Sequence, residues 1–329
     1  MHGPETGGRP RVVVGVDGSP GSTAALAHAM REAAGRGADL EVVAAYPVPL
    51  PLAGGVRALV PDPEALARDT AARARASVEE VRRAVGPLGD DEETVDLVVS
   101  EGPAGPVLVE RSRDAELLVV GSRGRGAVRS ALLGSVALHC ATGATCPVVL
   151  VPPHPAPLAP EPRVVAGVDG SAGARAALAV ALREARRAGA SLEVLAAYEP
   201  AELSTETYGY VPATMRELRA EVERGTWRLV EEVVQELAED DGTDVGPPVE
   251  VVVVEGTAAE ALVRSAARAA HLVVGTRGHG GIRGLLLGSV ALRCLVAAPC
   301  PVMVVPLPSR PAGAPVARPA EPAAGVSAP

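Results

Sequence analysis

Two glycine-rich segments have the spacing of a phosphate-binding loop. Residues 121–124 read GSRG and are followed after nine residues by a Gly-Ser pair; residues 275–278 read GTRG and are followed by the same pair at the same spacing. Glycine lets backbone N–H groups approach a phosphate because it has no Cβ atom. A helix starting at the Gly-Ser pair would add N–H donors and the positive end of its dipole, with the serine as its cap and as a hydroxyl donor. The alternative is that these glycines only make turns.

An aspartate follows the first apolar run of each half, Asp17 and Asp169, both within the sequence VDGS. One interpretation is a contact to ribose or to a metal-bound phosphate, and the other is a carboxylate that caps the next turn or helix. The chain has no lysine, which excludes a phosphate-loop lysine and a Schiff-base lysine. Arginine is then the available phosphate cation. The basic residues around the glycine segments are Arg123, Arg125, Arg129, Arg277, Arg283 and His279, and each of them can equally be a solvated loop residue.

Apolar runs alternate with segments of helical spacing, which predicts strands that alternate with helices. In the first half the predicted strands are 12–16, 40–46, 95–99, 117–120 and 147–151, and the predicted helices are 22–35, 65–85, 107–113 and 136–142. This alternation predicts a parallel sheet with right-handed crossovers. It also places the glycine segment after the fourth strand and before a helix, where ligands bind in such sheets. The pattern does not give the strand order.

The chain is a tandem duplication. RVVVGVDGS at 11–19 recurs as RVVAGVDGS at 163–171, LEVVAAY at 40–46 recurs as LEVLAAY at 192–198, and LLGSVAL occurs at 132–138 and 286–292. The order and spacing of the repeated segments agree within two residues, which predicts two domains. The predicted boundaries are a disordered N-terminus at 1–10, a first domain at 11–152, a Pro-rich linker at 153–162, a second domain at 163–306, and a disordered Ala/Pro-rich tail at 307–329.

Composition narrows the class of protein. The 329 residues are 47% hydrophobic and contain no Phe, so the cores must consist of Val, Leu and Ala, as in buried parallel strands covered by helices. The net charge of -9 argues against a nucleic-acid partner. No apolar run reaches the length of about 18 residues needed to span a membrane, and no signal region is present. The expected location is the cytoplasm, with reduced thiols.

The cysteines and three histidines are predicted to be structural. The cysteines are six residues apart in each half, at Cys140, Cys146, Cys294 and Cys300. Small buried hydrophobic residues are the favoured interpretation, and a redox pair is the alternative. No Cys/His cluster has the spacing of a zinc site. His28, His139 and His271 have no partner at ligand spacing.

The glycine motif G-x2-G-x9-G-[S/T], with VDGS upstream and a Cys-Pro-Val strand downstream, resembles the universal stress protein family in its tandem, ATP-binding form. The resemblance covers both halves of the chain. It implies an α/β fold of two Rossmann-like domains (adenine nucleotide alpha hydrolase-like), each a five-stranded parallel sheet of order 3-2-1-4-5 flanked by helices. Asp17 and Gly121 would then face one crevice at the point where the strand order reverses.

The resemblance also implies that each half binds ATP, with Mg²⁺. The glycine motif would hold phosphates and ribose, Asp17 would lie near ribose and metal, and Ala45 would offer backbone groups to adenine. The implied ATP-binding residues are Gly15, Asp17, Ala45, Gly121, Arg123, Gly124, Gly134, Ser135 and Val136, and in the second half Gly167, Asp169, Ala197, Gly275, Arg277, Gly278, Gly288, Ser289 and Val290. Asp17 and Asp169 are the candidate metal ligands through Mg-ATP. Residues 48–62 and 199–212 differ between the halves, which leaves the adenine-side contacts open.

The function implied is a nucleotide-dependent stress-response regulator or interaction protein, with an unknown protein partner and no catalytic residue. Hydrolysis is expected to be slow at most, since no lysine is available and no general base can be placed. The alternatives are an adenylating enzyme of the ATP pyrophosphatase class, whose S-G-G-x-D-S loop is absent after the first strand, and a flavin or NAD module, which lacks its G-x-G-x-x-G. The halves are expected to pair within the chain through their fifth strands, 147–151 and 301–305, because apolar sheet edges need cover. A homodimer of tandem chains is a further expectation.

Overall fold

The computed structural model describes eight stretches of the chain. They are residues 9–47, 62–86, 95–124, 133–157, 159–199, 215–242, 246–278 and 287–307. Residues 308–329 of the predicted tail and residues 1–8 of the predicted N-terminal segment lie outside the described residues, as does residue 158 in the linker. The same holds for Arg125, Arg129, His279 and Arg283, which the sequence places near the glycine motifs.

The first half alternates strands and helices as predicted. Its elements are β1 (Arg11–Gly15), α1 (Pro20–Arg36), β2 (Asp39–Tyr46), α2 (Pro63–Val85), β3 (Val95–Glu101), α3 (Ala104–Arg111), β4 (Leu117–Gly121), α4 (Ser135–Gly143) and β5 (Val148–Val151). Helix α1 begins with Pro20 in its first turn and with Ser19 as N-cap, whose hydroxyl accepts the Ser22 N–H at 3.2 Å. It ends where Gly37 takes a left-handed φ of 59°, two residues beyond the glycine at which the sequence predicted its end.

The second half repeats this plan. Its elements are β6 (Arg163–Val168), α5 (Ala172–Arg187), β7 (Ser191–Tyr198), α6 (Met215–Asp241), β8 (Val249–Glu255), α7 (Ala258–Ser265), a 3-10 turn (Ala266–Arg268), β9 (His271–Gly275), α8 (Ser289–Ala297) and β10 (Val302–Val305). Helix α5 is capped by Ser171 in the way that Ser19 caps α1, with the Ala174 N–H 3.2 Å from the Ser171 hydroxyl.

All ten strands form one sheet of order β3-β2-β1-β4-β5-β10-β9-β6-β7-β8. Each half is parallel and has the order 3-2-1-4-5, which confirms the order implied by the resemblance. In the first half β1 lies between β2 and β4, with Val12 beside Leu40 on one side and Leu117 on the other. Helices α1, α2, α5 and α6 pack on one face of the sheet, and α3, α4, α7 and α8 pack on the other. The helices that follow β1 and β4 therefore leave to opposite faces and open a crevice between them.

The two halves join through their fifth strands, as the sequence predicted. Strand β5 pairs antiparallel with β10, and Val149 lies opposite Met303 at the centre of the pairing. Both side chains are fully buried. The pairing satisfies the N–H and C=O groups that each five-stranded sheet would expose at its apolar edge. The linker also contacts the second half, since the Ala156 N–H donates to the Pro299 carbonyl at 2.9 Å.

Candidate functional site

Asp17 and the glycine loop meet at the carboxyl ends of β1 and β4. One oxygen of Asp17, Oδ1, accepts the Ser19 N–H at 2.9 Å and so caps the turn into α1. The other oxygen, Oδ2, faces Gly124: a Cβ atom built on Gly124 would lie 2.6 Å from it. The interpretation that this aspartate caps the turn is therefore confirmed, and its contact to ribose or to a metal-bound phosphate stays a prediction. In the second half, Asp169 accepts the Ser171 N–H at 2.9 Å, and a Cβ on Gly278 would overlap Asp169 Oδ2.

The first glycine of the motif packs against protein. A Cβ atom on Gly121 would lie 2.6 Å from the carbonyl carbon of Gly21 and 2.7 Å from its oxygen. In return, a Cβ on Gly21 would overlap the carbonyl oxygen of Arg123. The glycine loop therefore lies directly on the first turn of α1, and the missing Cβ of Gly121 makes room for that turn; a phosphate at this glycine stays a prediction. The contact with backbone accounts for that glycine.

Gly21 and its counterpart Gly173 were missed as partners of the glycine motif. A Cβ on Gly275 would lie 2.7 Å from the carbonyl carbon of Gly173, so the second half has the same contact. The available signal was a glycine four residues after each VDGS aspartate, which in the first half directly precedes the predicted helix start at residue 22.

The third glycine of the motif starts α4. Gly134 is the N-cap, with an extended φ of −73° and ψ of 148°, and its carbonyl accepts the Leu138 N–H at 2.9 Å. Its own N–H donates to the Ser122 carbonyl at 2.9 Å, which ties the helix start to the glycine loop. The prediction that Ser135 caps α4 is wrong, because the residue whose carbonyl accepts the first helical bond is the glycine.

Ser135 is instead the first residue of α4, and a glycine N-cap offers no side chain to the amides of the first turn. Within the described part of the chain, no side chain caps these amides, which lie at the positive end of the helix dipole. The start of α8 is built in the same way: Gly288 is the N-cap, with φ −74° and ψ 156°, and donates to the Thr276 carbonyl at 2.8 Å. The neighbouring helices α1 and α5 differ, since a serine caps each of them.

The other predicted site residues lie at different depths around the crevice. Arg123, Ser135 and Asp17 are exposed, and Val136 is half-buried. Ala45 lies near the end of β2, half-buried and paired with Ser100 of β3. The second-half counterparts Arg277, Ser289, Asp169, Val290 and Ala197 are arranged alike, with Val290 36% exposed.

Gly15 is explained by packing within the core. A Cβ on Gly15 would lie 2.8 Å from Leu108 Cδ1 of α3, and a Cβ on Gly167 would lie 2.8 Å from Leu262 Cδ1 of α7. These glycines let α3 and α7 approach the first strand of each half. A leucine side chain therefore covers the face of the strand toward which a Cβ of each glycine would point.

Two histidines that had no partner in sequence meet between the halves. His28 of α1 and His271 of β9, 243 positions apart, have their Nε2 atoms 3.1 Å apart. Burial lowers the pKa of His28 well below its usual value and lowers the pKa of His271 to about 4. The sequence shows no partner for these histidines at ligand spacing, and the fold supplies one. The sequence separation hides a contact that arises only when the halves dock.

The two halves, each a parallel sheet of order 3-2-1-4-5 with an aspartate and a glycine loop at its strand reversal, define a tandem Rossmann-like α/β protein. The model of the universal stress protein family matches residues 8–152 and 162–306. The chain therefore belongs to the universal stress protein family, as the motif implied. Among the described residues, no helix combines the length and the apolar character needed to cross a membrane.

Relatives of known sequence have the same tandem length. Universal stress protein Rv2005c of Mycobacterium tuberculosis is 35% identical over 306 residues, which cover 89% of this chain and 96% of that protein. Universal stress protein Rv1996 of the same organism is 33% identical over 314 residues, covering 92% and 96%. A universal stress protein structure from Archaeoglobus fulgidus superimposes with a TM-score of 0.58 at 19% identity, covering 90% of this chain and 98% of that one. That structural likeness shows the shared fold.

Proposed function

We propose that each half binds one ATP with Mg²⁺ in its crevice, and that the protein is a nucleotide-dependent stress-response regulator or interaction protein. The observation that carries this proposal is the glycine-capped start of α4 and α8, beside helices that a serine caps. At each crevice, a serine of the chain caps one helix, whereas the other helix has no side-chain cap among the described residues, which favours a ligand phosphate at its first amides.

The position of these amides favours a phosphate group. The Gly134 N–H is used by Ser122, so the donors that remain are those of the residues after it, at the positive end of α4. Arg123 is exposed on the adjoining loop and adds a permanent positive charge. A polyphosphate fits such a site better than a single carboxylate does, because it offers several charged oxygens to the helix amides and to the Arg123 guanidinium.

The aspartate supports a cation between protein and phosphate. Asp17 Oδ2 faces the loop that carries Arg123, so a bound polyphosphate would bring like charges together in one crevice. Mg²⁺ prefers oxygen ligands and binds through one or two carboxylates together with substrate phosphates. Asp17 and Asp169 fit that donor set, and Mg²⁺ would neutralise the phosphate charge that they oppose.

The packing of the glycine loop supports ATP as a ligand over ATP as the substrate of an adenylating enzyme. In that enzyme class the phosphate loop follows the first strand and leads into the next helix. Here Ser19 caps that helix, α1, and the backbone of Arg123 covers its first turn at Gly21. Contacts within the protein thus occupy the start of α1, where the adenylating enzymes have their phosphate loop. Without lysine in the chain, we also propose at most slow hydrolysis.

A charge placed at the helix start tests the phosphate site without disturbing the fold. Ser135→Asp with Ser289→Asp puts a carboxylate beside the first amides of each helix, where it stabilises the helix by about 0.3–1 kcal/mol. A phosphate charge roughly 5 Å away at an effective dielectric constant of about 30 would be repelled by about 2 kcal/mol. We expect the ATP Kd, measured by calorimetry with Mg²⁺, to rise at least tenfold at both sites.

Ser135→Asn with Ser289→Asn is the matched control, because asparagine has the shape of aspartate without its charge. We expect this variant to bind ATP within a few-fold of the unmodified protein. Equal ATP affinity in the folded Asp and Asn variants would show that the phosphates do not lie at these helix starts. Failure of the unmodified protein to bind any nucleotide would refute the proposal as a whole.

A further inference from the structure

Three ligand-forming side chains converge where the two halves dock, away from the crevices. His28 and Glu32 lie one turn apart on α1 of the first half, and His271 opens β9 of the second half. We propose that these three residues form a zinc site that clamps the halves together. This site is independent of the proposed nucleotide sites. His271 lies at the start of β9, whereas the glycine loops of the nucleotide sites begin at the carboxyl ends of β4 and β9.

The distances between the three ligand atoms match one tetrahedral ion. The two Nε2 atoms are 3.1 Å apart, Glu32 Oε1 is 3.5 Å from His28 Nε2, and it is 3.3 Å from His271 Nε2. Zn²⁺ binds imidazole nitrogen at about 2.0–2.1 Å and carboxylate oxygen at about 2.0–2.2 Å, so the edges of its ligand tetrahedron are about 3.3–3.5 Å. An ion about 2 Å from all three atoms would lie just outside the plane they define.

The orientation of the two rings agrees with this geometry. Their centroids are 5.0 Å apart and their planes are inclined at 74°. The centroids are farther apart than the Nε2 atoms, so the rings point their Nε2 ends toward each other. Two imidazoles bound to one tetrahedral ion have centroids roughly 5 Å apart. Stacked rings, the usual arrangement of a packing contact, would bring the centroids closer than this.

The surroundings hold the carboxylate in place and balance the charge. Arg36 Nη1 donates to Glu32 Oε2, which leaves Oε1 toward the histidines. Arg36 Nη2 is itself paired with both oxygens of Glu184, at 2.7 and 2.8 Å, and Arg187 pairs with Glu184 and Glu116 at 2.8 Å. The carboxylates of Glu32, Glu184 and Glu116 thus form one ion-pair network with Arg36 and Arg187. Outer partners of this kind orient metal ligands.

Ligand chemistry selects the ion. Two imidazoles and one carboxylate suit zinc and neighbouring transition metals, while Mg²⁺ and Ca²⁺ prefer oxygen alone. The tetrahedral edges favour Zn²⁺ over the tetragonal geometry of Cu²⁺. The side chains of His28 and Glu32 are each 13% exposed, which leaves a narrow opening for water as the fourth ligand.

The duplication supplies an internal comparison. By the repeat, His28 corresponds to Val180 of α5 and His271 corresponds to Leu117 of β4. Leu117 is fully buried and Val180 packs against the same core. The equivalent positions in the other half therefore carry apolar side chains that belong to or pack against one hydrophobic core. The fold tolerates hydrophobic side chains there, so docking of the halves does not by itself require histidines.

The experiment uses the full chain without a histidine tag, stripped by a chelator, in buffer with excess Mg²⁺ and no nucleotide. Calorimetric titration with Zn²⁺ should give one site per chain with a Kd below about 1 µM. Saturating Zn²⁺ should raise Tm by roughly 5 °C. Co²⁺ in place of Zn²⁺ should give the intense visible absorption of four-coordinate cobalt, without the near-ultraviolet band of a thiolate ligand.

His28→Val with His271→Leu installs the side chains found at the equivalent positions of the other half. This variant should fold and bind Zn²⁺ at least 100-fold more weakly, whereas His154→Ala, which removes an exposed histidine elsewhere, should bind normally. If the double variant fails to fold, Glu32→Gln provides the second measurement and should weaken Zn²⁺ binding at least tenfold. No Zn²⁺ binding by the unmodified chain, unchanged binding in the variants, or a thiolate band with Co²⁺ would each overturn the proposal.

Discussion

Replacing Gly121 by alanine should destabilise the protein through a contact within the chain. The added methyl would lie 2.6 and 2.7 Å from the carbonyl group of Gly21 and 3.0 Å from the Ser22 nitrogen. Ordinary van der Waals contact begins at about 3.5 Å, so the end of β4 and the first turn of α1 would have to separate by nearly 1 Å. All three atoms belong to the backbone, and no side-chain rotation can relieve the overlap.

The expected cost is at the upper end of the range for overpacking, about 3 kcal/mol. Because one kcal/mol shifts Tm by roughly 2–4 °C in a protein of this size class, Tm should fall by roughly 6–12 °C. Calorimetric or circular-dichroism melting without nucleotide measures this shift. Gly275→Ala, whose methyl would meet Gly173 in the same way, should cost a similar amount in the second half.

Gly35→Ala is the matched control for the same chemical change. Gly35 lies in α1, and a Cβ there would have no atom within 4 Å. Replacing glycine by alanine inside a helix stabilises it by roughly 0.5–1 kcal/mol, so this variant should melt at or above the unmodified protein. If Gly121→Ala melted together with Gly35→Ala, the close contact between the glycine loop and α1 would be refuted.

Three further outcomes follow from burial and charge. Val149→Asp with Val304→Asp should unfold the joined halves, because keeping each buried carboxyl neutral at pH 7 costs about 4 kcal/mol; scattering from a compact, unchanged particle would contradict this. Burial raises the pKa of Cys140, Cys294 and Cys300 to about 12, so at pH 8 these thiols should label far more slowly in the folded protein than in denaturant. Rapid labelling before unfolding would show that they are accessible. ATP turnover should stay well below about 10 per second, and a rate in that range would reveal a catalytic group that the sequence did not indicate.

Much of the architecture could be predicted from local sequence. Short continuous apolar runs predict the strands, because strands of a covered parallel sheet are buried on both faces, and segments with helical spacing of apolar residues predict the helices. The repeated VDGS and glycine motifs identified the duplication, and through family resemblance they implied the strand order. The apolar, nearly uncharged sequences of the two fifth strands predicted that these strands pair, since an exposed apolar sheet edge needs a partner.

Contacts between elements were decided by tertiary structure. Sequence spacing places Gly134 and Ser135 together, but only the backbone path shows that the glycine is the N-cap. The close contact between Gly21 and Gly121 depends on how α1 leans over the end of β4. His28 and Glu32 are one helical turn apart in the sequence, yet their meeting with His271 requires two docked domains. Local sequence patterns indicate which residues of each helix or strand are buried. The distance between His28 and His271, 243 positions apart, is instead determined by how the helices of one half pack on the sheet of the other.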